Sequence, residues 1–261
     1  MTPIKRYQVD AFADKLFTGN PAVVCPLEHW LPDAVMQNIA MENNLSETAF
    51  FVNEKDGWRI RWFTPTVEVD LCGHATLATA FVMFDHERVL GNSISFQSRS
   101  GVLVVTKEED KLTLDFPADT IKKIQATPAL QCFDEPVVEI YQGKTDYLFV
   151  FESEEHVKNC RPDFERIAKI GGRGAIITAK GNEVDFVSRF FGPQAGVDED
   201  PVTGSAHTTL TPYWASQIHK TEFRAAQLSK RGGKLFCKLE GNRVKISDTA
   251  KLFSTGTIHL D

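Results

Sequence analysis

Apolar and polar positions along the chain change their period several times, and each change predicts an element. From Ile4 to Phe12 the residues alternate, with Tyr7, Val9 and Ala11 against Arg6, Gln8 and Asp10, the period-two pattern of a half-buried strand. Gly19-Asn20-Pro21 predicts a turn, and Ala22 to Cys25 a short strand after it. Pro32 to Asn43 shifts to helical spacing, with Val35 and Ile39 facing inward. Glu47 to Val52 and Trp58 to Phe63 predict two strands about the Lys55-Asp56-Gly57 turn. His74 to about Asp85 is apolar on nearly every face, which predicts a helix enclosed by other elements. Strands are expected at Ser93 to Phe96, Gly101 to Lys107 and Lys111 to Phe116.

The remaining chain repeats this outline. Val137 to Gln142 and Tyr147 to Phe151 predict strands, Asp163 to Lys169 a helix, and Ala175 to Ala179 and Asp185 to Phe191 further strands. A second apolar helix is expected over Ser205 to Ile218. Strands follow at Phe223 to Ser229, Lys234 to Leu239, Arg243 to Ile246 and Thr255 to Leu260. Pro117 to Pro136 has the loosest patterning and reads as a link. The expected fold class is α+β, with two halves, each a curved, mostly antiparallel sheet around one buried helix. The expected boundaries are residues 1–117 for the first half and 118–249 for the second, with the strand at about 250–261 returning to the first.

A sequence repeat supports two halves. Arg61-Trp-Phe-Thr-Pro65 leads through Asp70-Leu-Cys72 to Gly73-His-Ala-Thr76 and an apolar run. Arg189-Phe-Phe-Gly-Pro193 leads through an acidic stretch to Gly204-Ser-Ala-His207 and another apolar run. The copies lie about half the chain apart, too long a period for a solenoid. The acidic stretch is three residues longer in the second copy.

The chemistry gathers at these two junctions. Gly196-Val-Asp-Glu-Asp-Pro-Val-Thr-Gly-Ser-Ala-His207 puts three carboxylates and a Thr-Gly-Ser turn just before an apolar run, the signature of a helix N-terminus. The first N–H groups of such a helix lack intrahelical partners and attract anions. The Gly73-His74 and Gly204-Ser205 backbones are therefore candidate carboxylate cradles. Glu47 opens an otherwise apolar strand, surroundings that raise a carboxyl pKa toward the range of a general acid/base. His74, at a helix N-terminus, is expected to stay neutral. Asp200 is read as a carboxylate of the acidic turn. Cys72, beside Gly73, is a possible reactive thiol, since helix N-termini lower thiol pKa values, or else a small buried apolar residue. These groups together suit proton transfer between carbons of a small anionic molecule without a cofactor.

Composition narrows the partners. The net charge of −6 and the lack of a basic run argue against a nucleic-acid partner. No apolar stretch is long enough to span a bilayer, and Met1-Thr-Pro-Ile-Lys-Arg6 has no signal-peptide core. Five widely spaced cysteines without C-x-x-C pairs suit reduced thiols in the cytoplasm, and no metal spacing joins His74 to His207. Walker, dinucleotide-binding and nucleophile-elbow motifs are missing from the sequence.

Gly19-Asn-Pro-Ala-Val, Leu45-Ser-Glu-Thr-Ala-Phe, Arg61-Trp-Phe-Thr-Pro, Leu71-Cys-Gly-His-Ala-Thr and Glu199-Asp-Pro-Val-Thr-Gly-Ser-Ala-His occur in order. Through these motifs, from Tyr7 to its end, the chain resembles the phenazine-biosynthesis PhzF-like isomerases. The resemblance implies a diaminopimelate epimerase-like fold with the site in a cleft between the halves, and a cofactor-independent, often dimeric isomerase, so a homodimer is expected. In PhzF the glutamate matching Glu47 moves a proton between ring carbons of dihydro-3-hydroxyanthranilate. The residues matching His74, Asp200 and Ser205 hold the substrate and assist, beside the Gly73 and Gly204 backbone; Asn20 joins them as a substrate-binding residue. Two-thiol epimerases of the wider superfamily take one thiol from each half; Cys72 matches the first, but Thr203 stands at the second. An epimerase using Cys72 or Glu47, and a non-catalytic binding protein, are the alternatives.

Overall fold

The computed structural model describes residues 3–260, which divide into two compact units, residues 3–115 with 247–260 and residues 116–246. In the first unit β1 (Ile4–Ala11), β2 (Asn20–Leu27), α1 (Asp33–Asn43), β3 (Glu47–Glu54), β4 (Gly57–Phe63), β5 (Glu68–Val69), α2 (Gly73–Asp85), β6 (Ser93–Ser98), β7 (Gly101–Glu108) and β8 (Lys111–Pro117) follow in order. The second contains β9 (Lys122–Ile124), β10 (Val137–Gln142), β11 (Asp146–Phe151), α3 (Glu154–Asn159), α4 (Phe164–Ile167), β12 (Gly174–Lys180), β13 (Phe186–Gly192), β14 (Val197–Asp200), α5 (Ala206–Ile218), β15 (Glu222–Gln227), β16 (Gly233–Glu240) and β17 (Arg243–Asp248). The last strand, β18 (Ala250–Ile258), pairs with β1 of the first unit.

Taken separately, the units have one topology. In the first, β18, β1 and β2 are antiparallel neighbours; β2 runs parallel to β3, β3 antiparallel to β4, β4 parallel to β6, and β6 antiparallel to β7. In the second, β9, β10 and β11 are antiparallel; β11 is parallel to β12, β12 antiparallel to β13, β13 parallel to β15, and β15 antiparallel to β16. Parallel neighbours need a crossover. Helix α1 lies in one crossover of the first unit and α2 in the other; α3 with α4, and then α5, fill the same places in the second.

Helix α2 packs on β1, β2, β3 and β7. Ten of its thirteen residues are buried, as expected of a helix apolar all round. Its buried hydroxyls bond back into the helix: Thr76 Oγ1 donates to the Cys72 carbonyl and Thr79 Oγ1 to that of Ala75. In α5, Pro212 has no N–H to offer the Thr208 carbonyl. The Asp119 N–H takes that acceptor at 3.1 Å, and the Asp119 carboxylate accepts from Thr209 Oγ1 at 2.9 Å. A proline inside a helix is thus tolerated because a residue of the loop between β8 and β9 satisfies the orphaned carbonyl.

The differences from expectation have local causes. The helix expected over Asp163 to Lys169 is one turn, Phe164–Ile167; Gly171 and Gly172 beyond it adopt positive φ. The strand expected from Thr255 begins at Ala250, because the full length of β1 is there to pair with it. The Pro117 to Pro136 segment is less of a bare link than expected: β9 pairs with β10, and Leu130 and Cys132 enter a core with Phe149, Phe151, Ile177 and Phe191. The acidic stretch also differs. Val197–Asp200 is strand β14 paired to β13, so its carboxylates precede the helix instead of capping it. The first turn of α5 holds no acidic residue. The three extra residues of the second copy fall at a short 3-10 turn, Pro193–Ala195. All five cysteines are buried and unbridged.

Candidate active site

The parallel pairing of β2 and β3 sets Ala22 opposite Glu47, so these two strands begin at the same edge. Asn20, first in β2, and Glu47, first in β3, meet there the N-terminus of α2, where Cys72 is the N-cap and Gly73 and His74 open the helix. His74 Nδ1 lies 3.0 Å from the Asn20 side-chain amide nitrogen and 3.5 Å from Cys72 Sγ. An amide N–H can only donate, so Nδ1 accepts and Nε2 carries the proton. Nε2 faces Glu47 Oε2 at 3.2 Å, in an off-line approach that does not make a well-aligned hydrogen bond. Burial pushes the His74 pKa down to about 3, so the ring is neutral near pH 7. A neutral ring is also the expectation from its place at a helix N-terminus, but here burial is the cause.

Glu47, Cys72 and His74 each bring one ligand-type atom within 4.8 Å of the others. A soft divalent ion, if one binds this unit, would find its donors here. The cluster also suits proton transfer. A carboxylate with 15% of its side chain exposed faces a neutral imidazole N–H that is itself fixed by an amide.

In the second unit β14 ends at Asp200, and Thr203 Oγ1 donates to its carboxylate at 2.5 Å. The Gln227 side chain clamps the following turn, donating to the Asp200 carbonyl at 2.7 Å and accepting from the Thr203 N–H at 2.8 Å. Ser205 precedes α5 without a side-chain cap bond. Its Oγ instead accepts from Arg173 Nη1 at 2.6 Å, and the guanidinium is held on its other side by the buried Asp146 carboxylate. Arg173 has no place among the candidate residues above, since as sequence Gly171-Gly-Arg-Gly174 is simply a turn. Nor has Asp146, which heads β11. A lone Arg in a glycine-rich turn carried no signal; only the folded chain brings it to Ser205.

The predicted residues thus fall into two groups, each within one unit: Asn20, Glu47, Cys72, Gly73 and His74 in the first, and Asp200, Gly204 and Ser205 in the second. The repeat also has a structural meaning. Arg61 forks onto Glu68 with both contacts at 2.7 Å, and Arg189 forks onto Glu199 at 2.7 and 3.1 Å, each pair tying β4 to β5 or β13 to β14. Both guanidiniums also lie over a phenylalanine, Phe63 or Phe191, at the same place in the motif.

Residues 9–256 match the family described as phenazine biosynthesis-like protein (PhzC-PhzF). An uncharacterized isomerase of Pseudomonas aeruginosa is 54% identical over 97% of this chain and 98% of its own length. A human phenazine biosynthesis-like domain-containing protein is 36% identical over 95% of this chain and 96% of its own. Among solved structures, a PhzF-family protein of Enterococcus faecalis superposes with a TM-score of 0.94 at 49% identity, covering 99% of this chain and all of that one. A hydroxyproline epimerase of Agrobacterium vitis shares the fold alone, with a TM-score of 0.67 at 8% identity over 99% of this chain and 93% of that one.

Proposed function

The chain belongs to the phenazine biosynthesis-like family of isomerases, with the α+β fold of the diaminopimelate epimerase type, and from that premise we propose a cofactor-independent isomerase in which Glu47 is the general acid/base. The observation that carries this reading is the mostly buried Glu47 carboxylate 3.2 Å from the neutral imidazole of His74. The carboxylate takes a proton from one substrate carbon, leaving the electron pair delocalised into the substrate, and returns a proton to another. One proton leaves and one is added, so substrate and product have the same composition and oxidation state, and no redox partner is needed.

His74 keeps its Nε2–H toward the carboxylate or the substrate, because Asn20 occupies Nδ1. The Gly73 N–H group in the first unit, and the Gly204 N–H group with Ser205 and Asp200 in the second, are each assigned to binding a carboxylate-bearing substrate, an assignment carried over from the family resemblance. Two-thiol epimerisation is supported less well: Thr203 stands at the second thiol position, and its hydroxyl donates to Asp200.

The test is C–H exchange in deuterated water, followed by NMR, over small cyclic and amino acids including dihydro-3-hydroxyanthranilate, with Glu47→Gln alongside. Loss of exchange in the variant by about 10²- to 10⁴-fold supports the assignment. Exchange surviving at the wild-type rate moves the base elsewhere. Label confined to one inverted stereocentre makes the reaction an epimerisation.

A further inference from the structure

The two helix starts hold a matched device that the sequence repeat conceals. Aligning Gly73 with Gly204 puts Thr76 opposite His207, two residues with no chemical likeness. Both do the same work. Thr76 Oγ1 donates to the carbonyl of Cys72, and His207 Nδ1 lies 2.8 Å from the carbonyl of Thr203. In each case a side chain at one helix-turn spacing holds the carbonyl that precedes the glycine.

The peptide that joins Cys72 to Gly73 is planar and trans, as is the one joining Thr203 to Gly204, so carbonyl and N–H point in opposite directions. Holding the carbonyl down toward the helix turns the glycine N–H outward from the helix start. In α2 the backbone N–H of Thr76 shares the task, reaching the Cys72 carbonyl at 3.3 Å. In α5 the first turn is tighter. The His207 N–H goes to the Gly204 carbonyl at 3.0 Å, one residue short of Thr203, and the imidazole takes over the Thr203 carbonyl. A threonine hydroxyl suffices where the backbone helps; the longer imidazole is used where it does not.

The buried state of His207 fits this duty. A carbonyl can only accept, so Nδ1 must carry the proton. The ring packs 5.9 Å from that of Phe186 with no exposed surface, and Nε2 has no hydrogen-bond partner among the described residues. Burial pushes its pKa down to about 4, against the opposing effect of the Thr203 carbonyl. The ring is therefore a neutral, pH-insensitive peg across the working range of most enzymes.

We propose that Thr76 and His207 are positioning residues, Thr76 aiming the Gly73 N–H and His207 the Gly204 N–H, each toward a carboxylate group bound at its own helix start. The inference rests on the anion-cradle part of the proposed function. Its test is ¹⁵N-resolved NMR of the full chain titrated with benzoate as a carboxylate probe, reading the two glycine amides separately. Thr76→Val weakens the response of Gly73 by about fivefold or more, the effect of one misdirected hydrogen bond, and leaves Gly204 unchanged. Thr76→Ser, which keeps the hydroxyl, restores it. His207→Leu weakens Gly204 and spares Gly73, and His207→Gln, which keeps a donor, restores Gly204. Either pair decides the matter if the other fails to fold. A wild-type response that Thr76→Val or His207→Leu leaves within about twofold at its own glycine overturns the inference and spares the cradle. A wild type in which neither glycine responds removes the cradle and the inference together.

Discussion

Gly174 stands in the second unit at the strand position that Glu47 fills in the first. The registers fix the equivalence: Thr48 pairs with Phe63 and Ala175 with Phe191, the two phenylalanines match in the repeat, and Glu47 and Gly174 are the residues just before. The second unit therefore has no carboxylate to mirror the first. It has no room for one either, since a Cβ on Gly174 would come 2.4 Å from the Phe191 carbonyl oxygen and 2.7 Å from Phe190 Cζ. With Thr203 in place of a thiol as well, the second copy has neither the carboxylate nor the thiol that the first copy has at the matching positions.

Gly174→Ala is accordingly expected to destabilise the protein by about 1–3 kcal/mol, the usual cost of overpacking. The close neighbour is backbone, which cannot swing aside as a side-chain tip can. Urea unfolding checks it. A midpoint equal to wild type contradicts the packing argument.

Cys72 touches His74 but is dispensable if Glu47 is the base. Cys72→Ser should retain deuterium exchange within about threefold of wild type, whereas Glu47→Gln loses it. A loss of about a hundredfold or more in Cys72→Ser would transfer the acid/base role to the thiol.

The two buried histidines should show opposite tautomers in imidazole ¹⁵N spectra, Nε2–H for His74 and Nδ1–H for His207. Both folded pKa values, about 3 and about 4, lie below the ordinary 6.5 of the unfolded chain. The unfolded chain thus binds protons first as pH falls, so stability is full above about 6.5 and declines below it. Each histidine should cost on the order of 2 kcal/mol by pH 5, seen as a falling denaturant midpoint between pH 6.5 and 4. Replacing His207 with Gln should remove its share of that slope, and an unchanged slope would contradict the assignment.

Arg61 and Arg189 each present a fork to a carboxylate that ties two strands together, and lysine cannot form two parallel contacts. Hydrogen bonding to Glu68 raises the Arg61 pKa, and the side chains of this pair are 17% and 13% exposed. Arg61→Lys should cost about 1–3 kcal/mol of stability, and a double-mutant cycle with Glu68→Gln should show coupling of similar size. Additive effects of the two changes would show that the fork contributes nothing beyond its separate ends.

Much of this protein follows from local rules. Alternation in Ile4 to Phe12 and the all-apolar run after Gly73 determined a strand and a buried helix, because a side chain's face is fixed by backbone period alone. The Arg-aromatic-Phe repeat determined that the chain does the same thing twice, and Glu47, His74 and Cys72 were legible because each sits at the start of an element. Tertiary structure decided what spacing cannot encode. The acidic stretch became strand β14 because β13 offered it a ladder across the short Pro193–Ala195 turn, and a run of acidic residues does not by itself signal a strand. Arg173 reached Ser205 only through the β12 connection, and Thr76 and His207 proved equivalent through a shared carbonyl duty instead of shared chemistry. Hydrogen bonds between distant residues are set by where the chain returns in space, and the sequence records that return only in patterns too weak to read one element at a time.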